Sequence, residues 1–360
     1  MIRFSIRHRL RVAPICVVVA GLVSSCMGYG PRTIERDQMD YGLSISSAIQ
    51  QQLLGNIVRL RYMEAPVFVN VSSIINQYSL SGQVDAGVGF NTSISGANTG
   101  RFGGGGRWED RPTITYTPIS GRKFAESLLT PIKPEALFAL VQSGWPAELL
   151  FRMTVSSING VEDAIESPLY RRQADPRFRE LLAVWTRLRQ AGAIGLRRSE
   201  GEPQKTTIIL YLRDDRIDER TQQDIEFFVE TLGLDPDAHE YKLKYGLIPD
   251  EPDEIFVLTG SIFDLMLDLA WQVDVPQQHV DEGRTASTFV DTGLGGRLFN
   301  VRHSEEEPEN AFVKIQDRGY WYYIDDRDMT TKRTFGLLQI LFSLTDAGDE
   351  ARGPVISIGG

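Results

Sequence analysis

The sequence predicts an α+β protein, with helices and short antiparallel strands mixed and a long Gly-rich β-hairpin near the N-terminus. Three observations carry that reading. Apolar residues recur at helical spacing in several separate segments, one segment alternates with a period of two, and strands and helices follow no regular βαβ series. The 360 residues are 42% hydrophobic and 24% charged. That is enough to bury a core without a metal or disulfide staple, and it excludes disorder, collagen-like repeats and a polytopic membrane protein.

The elements follow in order. Between Thr33 and Arg61, Ile45, Ile49, Leu53 and Ile57 recur every four residues, and Leu54 and Val58 widen the stripe, so this segment reads as a helix. Ala65-Pro66 ends it, because the residue before proline is pushed out of the helical region. Val67 to Ile75 is rich in β-branched and aromatic residues and reads as a buried strand.

From Val84 to Ser95 the alternation is strict: Val84, Ala86, Val88, Phe90, Thr92 and Ile94 fall on one face and Asp85, Gly87, Gly89, Asn91, Ser93 and Ser95 on the other. Residues 96–106 read as a Gly-rich connection, and Arg111 to Ile119 as the return limb of a long hairpin. A soluble antiparallel sheet with one covered and one wet face is the plain form of this pattern.

Short helices are expected at Phe124–Leu129, Pro134–Gln142 and Pro146–Ser156, and a longer one at Pro176–Gln190 after the capping Asp175. Thr206–Arg213, Tyr241–Ile248 and Glu254–Leu258 read as strands around a helix at Thr221–Leu232. Ser261–Val273 and Thr334–Leu344 are apolar nearly all round, the mark of helices packed on several sides. Pro276–Asn310 reads as irregular. Phe312–Gln316 and Tyr320–Ile324 flank a turn at Asp317-Arg318-Gly319, Asp328 can cap the next helix, and Val355–Ile358 is a closing strand.

The N-terminus divides into zones. Arg3, Arg7, Arg9 and Arg11 form a basic region without acids, Val12 to Val23 an apolar run, and Ser24, Ser25 and Cys26 follow. The run is about half the ~20 residues a spanning helix needs, so it reads as a cleaved signal peptide rather than a permanent anchor. Val23-Ser24-Ser25-Cys26 resembles the lipobox of bacterial lipoproteins. The resemblance implies cleavage before Cys26, a diacylglycerol thioether on its sulfur and stable anchoring by several acyl chains, palmitate among them. Ordinary secretion with soluble release is the alternative. With Met27 rather than Asp after the Cys, the resemblance implies the outer membrane, on its periplasmic face. The expected organisation is a signal peptide at 1–25, a lipidated tether at 26–35, a helix-plus-hairpin region at 36–120 and an α+β domain at 121–360.

The formal charge is −10, and loss of residues 1–25 would take four arginines and no acid, leaving −14. Such an acidic chain is a poor nucleic-acid coat. Its two cysteines cannot form a disulfide scaffold or a four-Cys zinc site. His239, His279 and His303 are isolated in sequence, so no metal is expected. Asp325, Asp326 and Asp328 lack the spacing of a calcium loop. Ser156-Ser157-Ile158-Asn159-Gly160 lacks the first glycine of a nucleophile elbow and reads as a turn, and Gly103–Gly106 lacks the Lys-Ser/Thr of a phosphate cradle. No catalytic residue and no cofactor emerge.

Charge offers one candidate site. Between Glu166 and Arg198 the sequence carries Arg171, Arg172, Arg177, Arg179, Arg187, Arg189, Arg197 and Arg198 against three acids. The first six are the candidate anion- or partner-binding patch, because guanidinium groups fork onto phosphates and carboxylates. A solvated helix face pairing with acids of the same chain is the plainer reading.

The sequence thus points to an outer-membrane-anchored lipoprotein with a non-enzymatic binding, scaffolding or envelope-assembly role, held to the membrane by its lipid and partnered by envelope proteins. The mature chain resembles only the uncharacterised lipoproteins of Gram-negative envelopes. Two alternatives stand beside that reading. One is a subunit of an oligomeric β-barrel or secretion-type assembly, since the hairpin limbs near the ~9–11 residues needed to cross a membrane. The other is a carboxylate-based hydrolase of envelope polymers, whose two acids need not be close in sequence.

Overall fold

The computed structural model describes residues 29–75, 78–89, 99–110, 113–163, 165–166, 171–172, 174–199, 207–213, 217–249, 251–288 and 297–346. Cys26 and the expected strand at Val355–Ile358 lie outside them. The fold is α+β, as the periodicities require. Two compact units divide the chain, Met1–Leu54 and Gly55–Gly360.

Helix α1 (Tyr29–Arg61) begins four residues before Thr33, within the segment read as tether. At its C-terminal end Met63 takes the left-handed conformation that lets the chain leave the helix. Asn56 then sets the exit. Its amide donates to the Val67 carbonyl and its oxygen accepts from the Val67 N–H, both at 2.8 Å. One side chain replaces two backbone partners and aims the chain into β1 (Phe68–Ile75).

The hairpin differs from its expected pairing. β2 (Tyr78–Gly89) pairs with β3 (Thr99–Asp110), so most of the stretch read as connection is strand. β4 (Thr113–Ile119), the expected return limb, pairs with β1 instead, from Phe68↔Ile119 to Ile75↔Thr113. Glycines at 103–106 hide the strand from propensity, since they add no side chain to the pattern. Backbone pairing with β2 supplies what they lack.

Beyond β4, α2 (Gly121–Phe124) runs straight into a π-helical turn at Ala125–Leu129. α3 (Pro134–Gln142) and α4 (Ala147–Thr154) follow. Next come β5 (Val155–Ile158), β6 (Val161–Glu162), β7 (Ile165–Glu166) and β8 (Arg171–Arg172). Helix α5 (Pro176–Gln190) starts as expected at Asp175, whose carboxylate accepts from the Arg177 N–H. β9 (Ile194–Ser199), missed by the sequence reading, and β10 (Thr207–Leu212) precede α6 (Glu219–Leu232), capped by Asp218. β11 (Glu240–Tyr245) and β12 (Glu254–Thr259) complete a six-stranded sheet ordered β6-β5-β12-β11-β10-β9. Only β11 and β12 run parallel; the other pairs are antiparallel.

Against this sheet pack rings from four helices, α3 to α6. Trp185 of α5 lies 5.5–6.0 Å from Phe138, Phe151 and Phe228, and the sheet contributes the buried Leu210, Tyr241, Leu243 and Val257. Aromatic side chains at such spacing bring large apolar area plus favourable edge contacts. Asn159, in the expected turn after β5, ties this layer together. Its amide donates to Leu232 O at 2.8 Å and its oxygen accepts from the Phe256 N–H at 2.7 Å.

The C-terminal part opens with α7 (Ile262–Ala270), started by a reciprocal cap between Ser261 and Asp264. The stretch read as irregular contains α8 (Gln277–Asp281) and β13 (Arg302–Ser304). β14 (Ala311–Asp317) and β15 (Tyr320–Asp325) form the expected hairpin, with Arg318 and Gly319 both at positive φ in a two-residue turn. β15 is central in the order β13-β15-β14. α9 (Met329–Asp346) is capped by Asp328, which accepts from the Thr331 N–H at 3.0 Å.

Candidate functional site

The arginine run is spread over two elements. Arg171 and Arg172 sit on β8, opposite Glu166 and Ile165. On α5, Arg177 forks onto its own cap, Asp175, at 3.0 and 2.6 Å. Arg179 is exposed to solvent. Arg187 forks onto Asp224 of α6 at 2.7 and 2.6 Å, and this pairing holds the Asp224 carboxyl below its usual range. Arg189 donates to the Val141 carbonyl at 2.7 Å. Three of the four α5 arginines therefore already brace the fold.

A denser polar cluster, unanticipated from sequence, lies where α1 ends. Arg61 is completely buried. Its guanidinium donates to Val273 O, Thr285 Oγ1 and Ala286 O at 3.2, 2.6 and 2.7 Å, and lies 5.1 Å from the Trp271 ring centre. Burial pulls its pKa down, yet the three oxygens and the ring face suit a cation. Next to it, the Tyr62 hydroxyl is 2.7 Å from both His279 Nδ1 and the Tyr322 hydroxyl. Burial lowers the His279 pKa and raises those of both tyrosines. With all three groups neutral, the chain runs from Tyr322 through Tyr62 to His279 Nδ1 in one imidazole tautomer and in the reverse direction in the other. Arg318 covers the other side of Tyr62, 4.1 Å from its ring centre, and pairs with Glu64 and Asp317.

The structure also groups histidines that are far apart in sequence. His279 and His303 flank Tyr320, with ring centres 5.4 and 5.9 Å away. Nδ1 of His303 is buried with no hydrogen-bond partner among the described residues. No group of three His, Cys, Asp or Glu among those residues is arranged to hold a metal ion.

Two further features bear on chemistry. On α7, Asp268 is an exposed residue. Desolvation by the surrounding protein, with Asp264 and then Asp163 nearby, shifts its carboxyl pKa up, to about 7. Its neighbour Asp264 is committed to Ser261, accepting from its N–H and hydroxyl at 2.8 Å each. Separately, a cleft of about 260 Å³ opens between α3, α5 and β9, lined by Val141, Gln142, Trp185, Arg189, Ile194 and Leu196. The Gln142 amide donates to Leu196 O at 3.1 Å.

Sequence reasoning did not join Arg61-Tyr62 to His279 and Tyr322 because more than 200 positions separate the pair from either partner. The one readable signal was an arginine on the last turn of an apolar helix stripe. No protein-family model, curated protein or solved structure matches the chain.

Proposed function

We propose that this chain is an outer-membrane-anchored lipoprotein whose mature part has a non-enzymatic binding, scaffolding or envelope-assembly role. The observation that carries the reading is the Val23-Ser24-Ser25-Cys26 quartet after a basic and then a short apolar run. No helix among the described residues is long and apolar enough to cross a membrane, so a helical anchor would have to come from elsewhere in the chain. Arg61, Arg187 and Arg189 are engaged in holding elements together, which suits a tethered structural module.

Metabolic labelling with a radioactive fatty acid tests the anchor. Wild type is expected to carry label and fractionate with outer membrane, and Cys26→Ser to lose both. Label retained in Cys26→Ser, or wild type found soluble, overturns the reading. Crosslinking in intact cells then identifies the envelope partners.

Hydrolysis of envelope polymers has one observation on its side, the Asp268 carboxyl held near neutral pKa as a general acid requires. Its neighbour Asp264 is engaged as a helix cap and is unsuited to the second role. Soluble fragments released from purified envelope glycan by wild type, and lost in Asp268→Asn, would establish that reading over the first.

A further inference from the structure

We infer that β2 and β3 are completed edge to edge by second copies of this chain, forming a closed antiparallel barrel of at least about four chains. This deepens the envelope reading above and rests on it for the location.

The two strands pair at twelve positions, from Tyr78↔Asp110 to Gly89↔Thr99, and with no other strand among the described residues. Each therefore leaves a twelve-residue edge of backbone donors and acceptors unpaired there. Proteins blunt such edges with lysine, proline or a covering element. Neither strand contains a lysine or a proline.

The register sorts the residues by face. Directly opposed residues of an antiparallel pair share a face. Leu80/Trp108, Val84/Gly104, Ala86/Phe102 and Val88/Gly100 fall on one side, and Ser79/Glu109, Ser81/Arg107, Asp85/Gly103 and Gly87/Arg101 on the other. Twelve residues at roughly 3.3 Å each reach about 40 Å, more than the ~30 Å of a bilayer's hydrocarbon core. Two strands alone cannot sit in lipid, because their edges would stay unsatisfied. The smallest natural barrels have about eight strands, hence about four chains at two strands each.

Identical copies fit the vacancy better than a foreign strand. The free edges belong to strands of opposite direction, so β2 of one chain beside β3 of the next continues the antiparallel order around a ring. The glycine run at 103–106 supplies the curvature that closure demands.

The test weighs the full-length protein, extracted from membranes in detergent, by mass photometry. A single species of four or more copies is expected, and a monomer overturns the inference. Fatty-acid label on Cys26 is read in the same preparation. A labelled monomer sinks the barrel alone; an unlabelled oligomer sinks the lipoprotein reading alone. Val84→Pro with Gly104→Pro, which breaks β2 and β3 at one register pair, should yield monomers whose urea midpoint matches wild type. Oligomers that persist in this variant overturn the assignment to the ribbon.

Discussion

The ribbon β2–β3 and the six-stranded sheet are both mostly antiparallel, but they meet their hydrogen-bonding and burial demands differently. The six-stranded sheet packs a layer of helices over one face, and rings from Phe138, Phe151, Trp185 and Phe228 seal it. Its order is set by long-range crossovers, and its edge carbonyl at Leu196 receives the Gln142 side chain. The ribbon has only its own partner strand among the described residues, with period-two alternation in place of a packed layer. Stability therefore comes from packing in one region and from backbone pairing in the other, and substitutions should separate the two.

The largest effect belongs to the sealed side. Phe151→Ala empties a ring site within the cluster and should cost about 3–5 kcal/mol of unfolding free energy in urea titration. Val88→Ala in the ribbon should leave that transition where it is; a matching loss would mean the two regions unfold as one. Asn56→Ala strands the Val67 N–H and carbonyl together, at a cost of about 2 kcal/mol measured the same way. Tyr322→Phe removes one hydroxyl from the chain to His279, an effect of about 1 kcal/mol.

Two further effects appear only as pH dependence, and they have opposite signs. His279 has a native pKa below the ordinary ~6.5, so its share of stability is full above that value. It is lost as pH falls from there toward the lowered native value. Asp268 is raised from 3.8 to about 7, so its share is present below 3.8 and lost as pH rises through 7. Thermal melts should show Asp268→Asn gaining on wild type at pH 8 but not at pH 3, and His279→Gln flattening the decline below pH 6.5. Unchanged profiles in these variants would place the pH response elsewhere.

Much of the fold was legible because it is local. Asp175 and Asp328 cap helices as expected, the structure adds Asp218 and Ser261 as caps of the same kind, and Arg318-Gly319 turns a hairpin. The stretch at 103–106 was misread because glycine carries no pattern, although its backbone pairs as well as any. The arginine run was legible as charge, but its destinations were not: Arg187 reaches Asp224, thirty-seven residues away, across two helices. The Arg61–Tyr62–His279–Tyr322 cluster was invisible, since it joins residues more than 200 positions apart.

By itself, the sequence determined the α+β class, most helix starts, the alternation of the ribbon and the expectation of a lipid on Cys26. Each is written in residues that neighbour one another along the chain, where propensity, capping and short-range periodicity act. Tertiary structure alone decided which strand pairs with which, that Arg61 is buried, and that Arg187 meets Asp224. Those outcomes depend on distances between remote segments and on how completely each charge leaves water, quantities set only when the chain has closed on itself.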